Sequence, residues 1–121
     1  MTREEVFAII QQNYHVEPEF LWARTPNSAI WRHPDNRKWF AIIMDFRARH
    51  LDGHIAEQDL NKVIDVVNVK IDPEAREELL QQPGIYPAFH MNKIHWISLR
   101  LDEINPDLFQ ALLARSYELT A

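Results

Sequence analysis

Apolar positions recur along this chain with two periods, and the switches between them lay out the elements. Val6, Ile9, Ile10 and Tyr14 fall on one helical face. Thr2, with Glu5 three residues on, forms a capping box ahead of them, which predicts a first helix from about Arg3 to Asn13. Glu17-Pro18-Glu19 closes that segment, and Phe20-Leu21-Trp22 offers the start of an edge strand. Ala29-Ile30-Trp31-Arg32 and Trp39-Phe40-Ala41-Ile42-Ile43-Met44 read as an antiparallel hairpin. Its turn, His33-Pro34-Asp35-Asn36-Arg37, has the Pro, Asp and Asn that suit a tight reversal. From Asp45 to Asn61 the pattern dissolves, which fits a long loop or a short helical turn. Val63 to Ile71 is β-branched and alternates, as a central strand does.

Asp72-Pro73-Glu74 supplies an N-cap, a proline at the first helical position and a first-turn acid for a second helix. Ala75, Leu79 and Leu80 are its apolar face, and Gln82-Pro83-Gly84 ends it. Ile97, Leu99 and Leu101 then alternate with Trp96, Ser98 and Arg100, a strand with one buried face. Asn105-Pro106 repeats the cap-and-proline device before the stripe Leu108, Phe109, Leu112, Leu113, Ser116 and Tyr117. The predicted order is α-β-β-β-β-α-β-α. Short connections favour antiparallel neighbours, so the expected fold class is α+β, two-layer, an antiparallel sheet with helices on one face. At 121 residues the chain is expected to be a single domain, residues 1–121.

Composition narrows the function. The absence of cysteine removes disulfides, thiolate metal sites and Cys nucleophiles, and suits a reducing cytoplasm. No signal sequence and no apolar run of membrane-spanning length is visible, so a cytoplasmic protein with no membrane association is expected. No heptad seam suggests a dimer, which leaves a monomer. The net charge of −5 argues against generic nucleic-acid binding, but its distribution is polarised. Between Phe20 and His50, six cations (Arg24, Arg32, Arg37, Lys38, Arg47, Arg49) face two acids, a local net of +4. Gln82 to Arg100 adds Lys93 and Arg100 with no acid.

Candidate chemistry concentrates in Pro83 to Ile97, which holds two histidines, a lysine, an asparagine and three aromatics. His90 and His95 are five apart, and no carboxylate lies between Gln82 and Arg100, so no metal site is expected. Two glycines in the whole chain exclude glycine-rich phosphate or dinucleotide loops, and no nucleophile motif is present. Neither an enzyme nor a cofactor is expected. Of the four tryptophans, Trp31 and Trp39 suit a core or half-buried role, and Trp96 a partly exposed platform.

The segment Pro83-Gly84-Ile85-Tyr86-Pro87-Ala88-Phe89-His90-Met91-Asn92-Lys93-Ile94-His95-Trp96-Ile97 resembles the signature of the MmcQ/YjbR-like family of small bacterial proteins. That signature is a Pro-Gly turn followed by His-Met-Asn-Lys, one variable residue and His-Trp. Lys38-Trp39-Phe40-Ala41, Val69-Lys70-Ile71-Asp72-Pro73 and Ser116-Tyr117 resemble further parts of the family, so the likeness spans nearly the whole chain. The stretch from Phe46 to Leu60 is longer and more charged than the family's usual connection. The resemblance implies a two-layer α+β fold likened to a double-wing DNA-binding motif, with no enzymatic activity. It places motif residues at His90, Asn92, Lys93, His95 and Trp96, and a wing on the basic hairpin from Arg32 to Lys38.

The leading expectation is therefore a DNA-binding protein using Arg32, Arg37, Lys38, Arg47, Arg49, His90, Asn92, Lys93, His95, Trp96 and Arg100. Histidine protonation below about pH 6.5 should strengthen such binding. The alternative is a protein- or small-molecule-binding module with a chaperone-like sheet surface, and a third reading makes the signature a brace for the loop. The exposed face of the sheet discriminates between the first two. Basic and polar groups there favour DNA, and a contiguous apolar patch favours another partner.

Overall fold

The capping devices read from the sequence start both long helices. In the computed structural model, which describes residues 1–121, Thr2 and Glu5 form the reciprocal box at the head of α1 (Arg3–Tyr14). Asn105 accepts from the backbone N–H groups of Asp107 and Leu108 at the head of α3 (Pro106–Thr120). The strands are β1 (Ala29–Arg32), β2 (Trp39–Arg47), β3 (Val63–Lys70), β4 (Ile85–Pro87) and β5 (Trp96–Arg100). A single helical turn, α2 (Arg76–Leu79), follows β3. The strands form one antiparallel sheet in the order β1-β2-β3-β5-β4. The fold is the expected α+β, with the helices on one face.

That face is built by period-two alternation. Ala29 and Trp31, Ala41 and Ile43, Val67 and Val69, Ile97 and Leu99 point the same way from neighbouring strands. Val6 and Ile10 of α1 and Phe109, Leu112 and Leu113 of α3 close over them in one cluster of buried side chains.

The structure departs from the predicted elements in four places. Phe20–Trp22 forms no strand: Glu19 alone bridges Ile30, and the chain then peels away with all three side chains exposed. The remaining strand is β4, at the sheet edge, where Pro87 needs no ladder N–H. Gly84 introduces it with a positive φ of 87°, and a Cβ there would lie 2.6 Å from the Ile104 backbone. The hairpin strand β2 continues to Arg47, because β3 pairs with it as far as Arg47↔Val63, beyond the end of β1. Asp72 makes no side-chain cap, since its carboxylate receives Arg115 Nε and Nη2 at 2.8 and 3.0 Å. Those bonds hold Asp72 below the usual carboxylate range.

Between Trp31 and Arg32 the register slips: Trp31 pairs with Ala41 but Arg32 with Trp39. Phe40 is the extra residue of a β-bulge, and it joins Ala41 in the helix-side core. Unbroken alternation would put Trp39 on that side with Ala41 and Ile43. The bulge turns it to the other.

Candidate functional site

No helix covers the second face of the sheet. It presents Ile42, Met44 and Phe46 from β2, Ile64, Val66 and Asn68 from β3, Ser98 and Arg100 from β5 and Tyr86 from β4. Part of this face is closed by the chain after β2. Ala48 and Leu51 pack with Ile64, Val66 and Tyr86 in a second, smaller core. The segment from Phe46 to Leu60 is thus an ordered cover with two 3-10 turns, Ala48–His50 and Glu57–Asp59. Arg100 fastens it.

Its guanidinium is buried and reaches Asp102 at 2.6 Å, Asp59 at 3.2 Å and Glu103 at 4.0 Å. Burial alone would lower the Arg100 pKa, but the bonds to Asp102 and Asp59 raise it above the usual value. The Tyr86 hydroxyl donates to Glu103 beside it. Burial first, then that bond and the carboxylate's charge, push the phenol up to about 12.

Where the cover ends, an apolar groove of about 690 Å³ remains. Trp22 and Trp39 stand at one end, edge to face with ring centres 6.0 Å apart. Ile42 and Met44 form the floor, and Phe46 and Phe89 stack at the other end, 4.1 Å apart and tilted 28°. Trp39 and Phe46 are seven positions apart along β2, so the floor is about 23 Å long at about 3.3 Å per residue. His50, His90 and Met91 complete the wall around Phe89.

Phe89 is held from below by side chains of the sheet. Fully buried Asn68 donates Nδ2 to the Phe89 carbonyl at 2.9 Å. The Ser98 hydroxyl donates to Asn68 Oδ1 at 2.6 Å and accepts from the Phe89 N–H at 2.9 Å. Both backbone groups of Phe89 are therefore satisfied by polar residues of the open face, where each would cost about 1–3 kcal/mol if left unpaired.

The eleven residues picked from the sequence fall into separate groups. Arg32 is half-buried and paired in parallel with Glu19, at 2.7 and 2.9 Å. Arg37 and Lys38 are exposed at the hairpin tip, with Arg37 in a left-handed conformation. That tip is docked, because Asn36 donates to the Thr120 carbonyl and the His33 ring bonds Tyr117 O and Thr120 at the end of α3. Arg47 and Arg49 lie at the far end of β2, about 25 Å away at 3.3 Å per residue, and Arg49 donates to Asn61. Arg100 is enclosed by carboxylates, so its charge is spent inside the protein rather than on a surface.

The signature segment braces its own loop. Asn92 Oδ1 accepts from the N–H groups of Ile94 and His95, and its carbonyl accepts from Trp96. Lys93 donates to the Ala88 carbonyl and lies 3.4 Å from Asp52, while its own carbonyl receives Arg76. His95 is exposed, its carbonyl taking the Ile71 N–H, and half-buried Trp96 opens β5 opposite Lys70. His90 alone of the polar motif residues faces the groove, at a positive φ of 57°. No group of three His, Asp or Glu side chains is placed to hold a metal ion.

Sequence reasoning missed Trp22, Met44, Phe46, His50 and Phe89 as site residues. Phe89 lay inside the motif segment, but the others share no motif. Only the bulge and the course of the cover bring them together.

The family model described as YjbR matches residues 11–119. The Bacillus subtilis (strain 168) protein YyaQ is 35% identical over 123 residues, an alignment covering 99% of this chain and 98% of that one. A crystal structure of a Pseudomonas syringae protein superposes with a TM-score of 0.92 at 35% identity, covering 100% of both chains. A Deinococcus radiodurans structure shares the fold, with a TM-score of 0.67 at 22% identity over 98% of this chain and 77% of that one.

Proposed function

The chain belongs to the YjbR family, and we propose that it is a non-enzymatic binding module whose site is the aromatic groove on the helix-free face of the sheet. One observation carries this reading: a concave apolar groove lies between two aromatic pairs, with imidazoles at its rim. Its volume falls in the range of small-molecule sites, about 300–1,000 Å³, which are mostly apolar with a few polar groups that orient the ligand. The occupant is a small molecule with a flat apolar ring. Rings of that kind stack or meet edge to face with Trp and Phe, worth about 0.5–1.5 kcal/mol per pair beyond burial.

The signature motif then has a defined part. Asn92 and Lys93 set the loop, Asn68 and Ser98 pin it, and Phe89, His90 and Met91 are what it presents.

Duplex DNA is the second reading, favoured by the exposed tip cations Arg37 and Lys38 together with Arg47 and Arg49. The paired states of Arg32 and Arg100 and the spread of the rest along β2 weigh against one continuous phosphate surface.

Calorimetric titration with a neutral ring, 2-naphthylmethanol, tests the first reading. Wild type should bind, and Trp39→Ala and Phe89→Ala should each weaken binding about tenfold while remaining folded. No heat for wild type, or equal affinity in all three proteins, would overturn it. Anisotropy of a labelled duplex at two salt concentrations tests the second. Each phosphate that the Arg37→Ala/Lys38→Ala protein no longer neutralises should lower the log–log salt slope by about 0.9.

A further inference from the structure

We infer that the groove takes an aromatic anion: a planar ring between its aromatic walls, with a carboxylate at the rim against His50 and His90. This inference rests on the groove being the binding site and adds the charge of the ligand.

Three observations carry it. First, every lining residue of the groove comes from the two acid-poor stretches of the chain. Nine come from Phe20–His50 and three from Gln82–Arg100. No lysine or arginine reaches the lining and Asp45 is its one acid, so the titratable nitrogen donors that face a ligand there are the imidazoles of His50 and His90.

Second, the one carboxylate in the lining is already occupied: Asp45 Oδ2 accepts from Asn27 Nδ2 at 2.9 Å. Asp52, beyond the rim, faces Lys93 at 3.4 Å. Asp52 is thus paired with a cation, and Asp45 is held by one amide hydrogen bond.

Third, two imidazoles approach Phe89 from different segments. The His90 ring centre is 3.9 Å from that of Phe89, and the His50 ring centre is 6.5 Å from it. Both residues are exposed, and the histidine ring that hydrogen-bonds within the protein is His33, elsewhere in the fold. His90 reaches this position in a left-handed conformation that a non-glycine residue seldom adopts, the kind of local strain that clusters at ligand contacts. Each ring offers an N–H, and a carboxylate accepts two such bonds from one side.

The test uses three probes of one shape: 2-naphthoate, 2-naphthylmethanol and 2-naphthylmethylammonium, titrated calorimetrically into the full chain at pH 7. The naphthoate should bind about tenfold tighter than the alcohol, as one charge-assisted hydrogen bond warrants, and the ammonium weakest of the three. The variant His50→Ala/His90→Gly removes both imidazoles and leaves glycine at the left-handed position, so folding is preserved. It should lose about tenfold more affinity for naphthoate than for the alcohol, so that the preference for the anion disappears.

If the alcohol and ammonium bind as tightly as the naphthoate, or if the double variant keeps the anion preference, the inference fails and the groove stands. If no probe binds, or if Trp39→Ala binds all three like wild type, the groove reading fails with it.

Discussion

On the helix side of the sheet, 19 buried apolar residues close into one core, with buried Ser116, Thr120 and His33 only at its edge near the end of α3. On the other side a cluster of five apolar residues sits beside Asn68, Ser98 and Arg100, all buried and all hydrogen-bonded. The first face is sealed by helices whose stripes match its pleat. The second is roofed by irregular chain, which has no stripe to offer and is held instead by directed polar contacts. A surface closed by such contacts can stay open where none reaches, and there the groove lies.

Breaking the helix side should have the largest effect. Phe109→Ala removes a fully buried ring from the meeting of α3 and the sheet and should cost about 3–5 kcal/mol in urea unfolding. The naphthalene affinity of the remaining folded protein should be unchanged, because the residue does not touch the groove.

Breaking the other side should show the opposite balance. Asn68→Ala leaves the Ser98 hydroxyl and the Phe89 carbonyl without their partner, a loss of about 2 kcal/mol. The loop carrying Phe89 would then lose its register over the sheet, so naphthalene binding should drop by more than stability does. Equal binding in wild type and Asn68→Ala would separate the loop from the groove.

The alkaline limb sharpens the contrast further. The Tyr86 phenol ionises at about 12 in the folded protein, against 10.0 ordinarily. A raised folded pKa favours the fold while the group stays protonated, so this contribution is intact below about pH 10 and is lost as pH rises toward 12. Burial also raises Tyr14, so absorbance titration at 295 nm should show two phenols ionising late, and Tyr86→Phe should remove one of those steps and lessen the loss of stability between pH 10 and 12.

The smallest effect is expected at the hairpin tip, which belongs to neither face. Arg37→Gly relieves a left-handed backbone at φ 65° and should raise stability by about 0.5 kcal/mol after the entropy of glycine is counted. A thermal melt shifted upward by a few degrees checks it.

Much of the fold is legible in the chain itself. The capping box at Thr2, the Asn105-Pro106 start and the alternation of β3 and β5 mark the helices and central strands, because caps and periods are local properties of consecutive residues. The groove is not legible in that way. Strict alternation assigns Trp39 to the core side, and nothing in Trp31-Arg32 or Trp39-Phe40 announces the bulge that reverses it. Arg32 reads as a free cation because its partner, Glu19, lies 13 residues away, and Arg100 because Asp102 falls just past the acid-free stretch and Asp59 lies 41 residues away. His90 stands out by its motif, while His50 gains a role only where the chain after β2 folds back beside Phe89.

By itself, then, the sequence determined the elements, the class of the fold and the polarisation of charge, since each follows from neighbours along the chain. Which cations remain free, which aromatics face outward and where the sheet stays uncovered were decided by the tertiary structure, because each depends on pairings between residues distant in sequence.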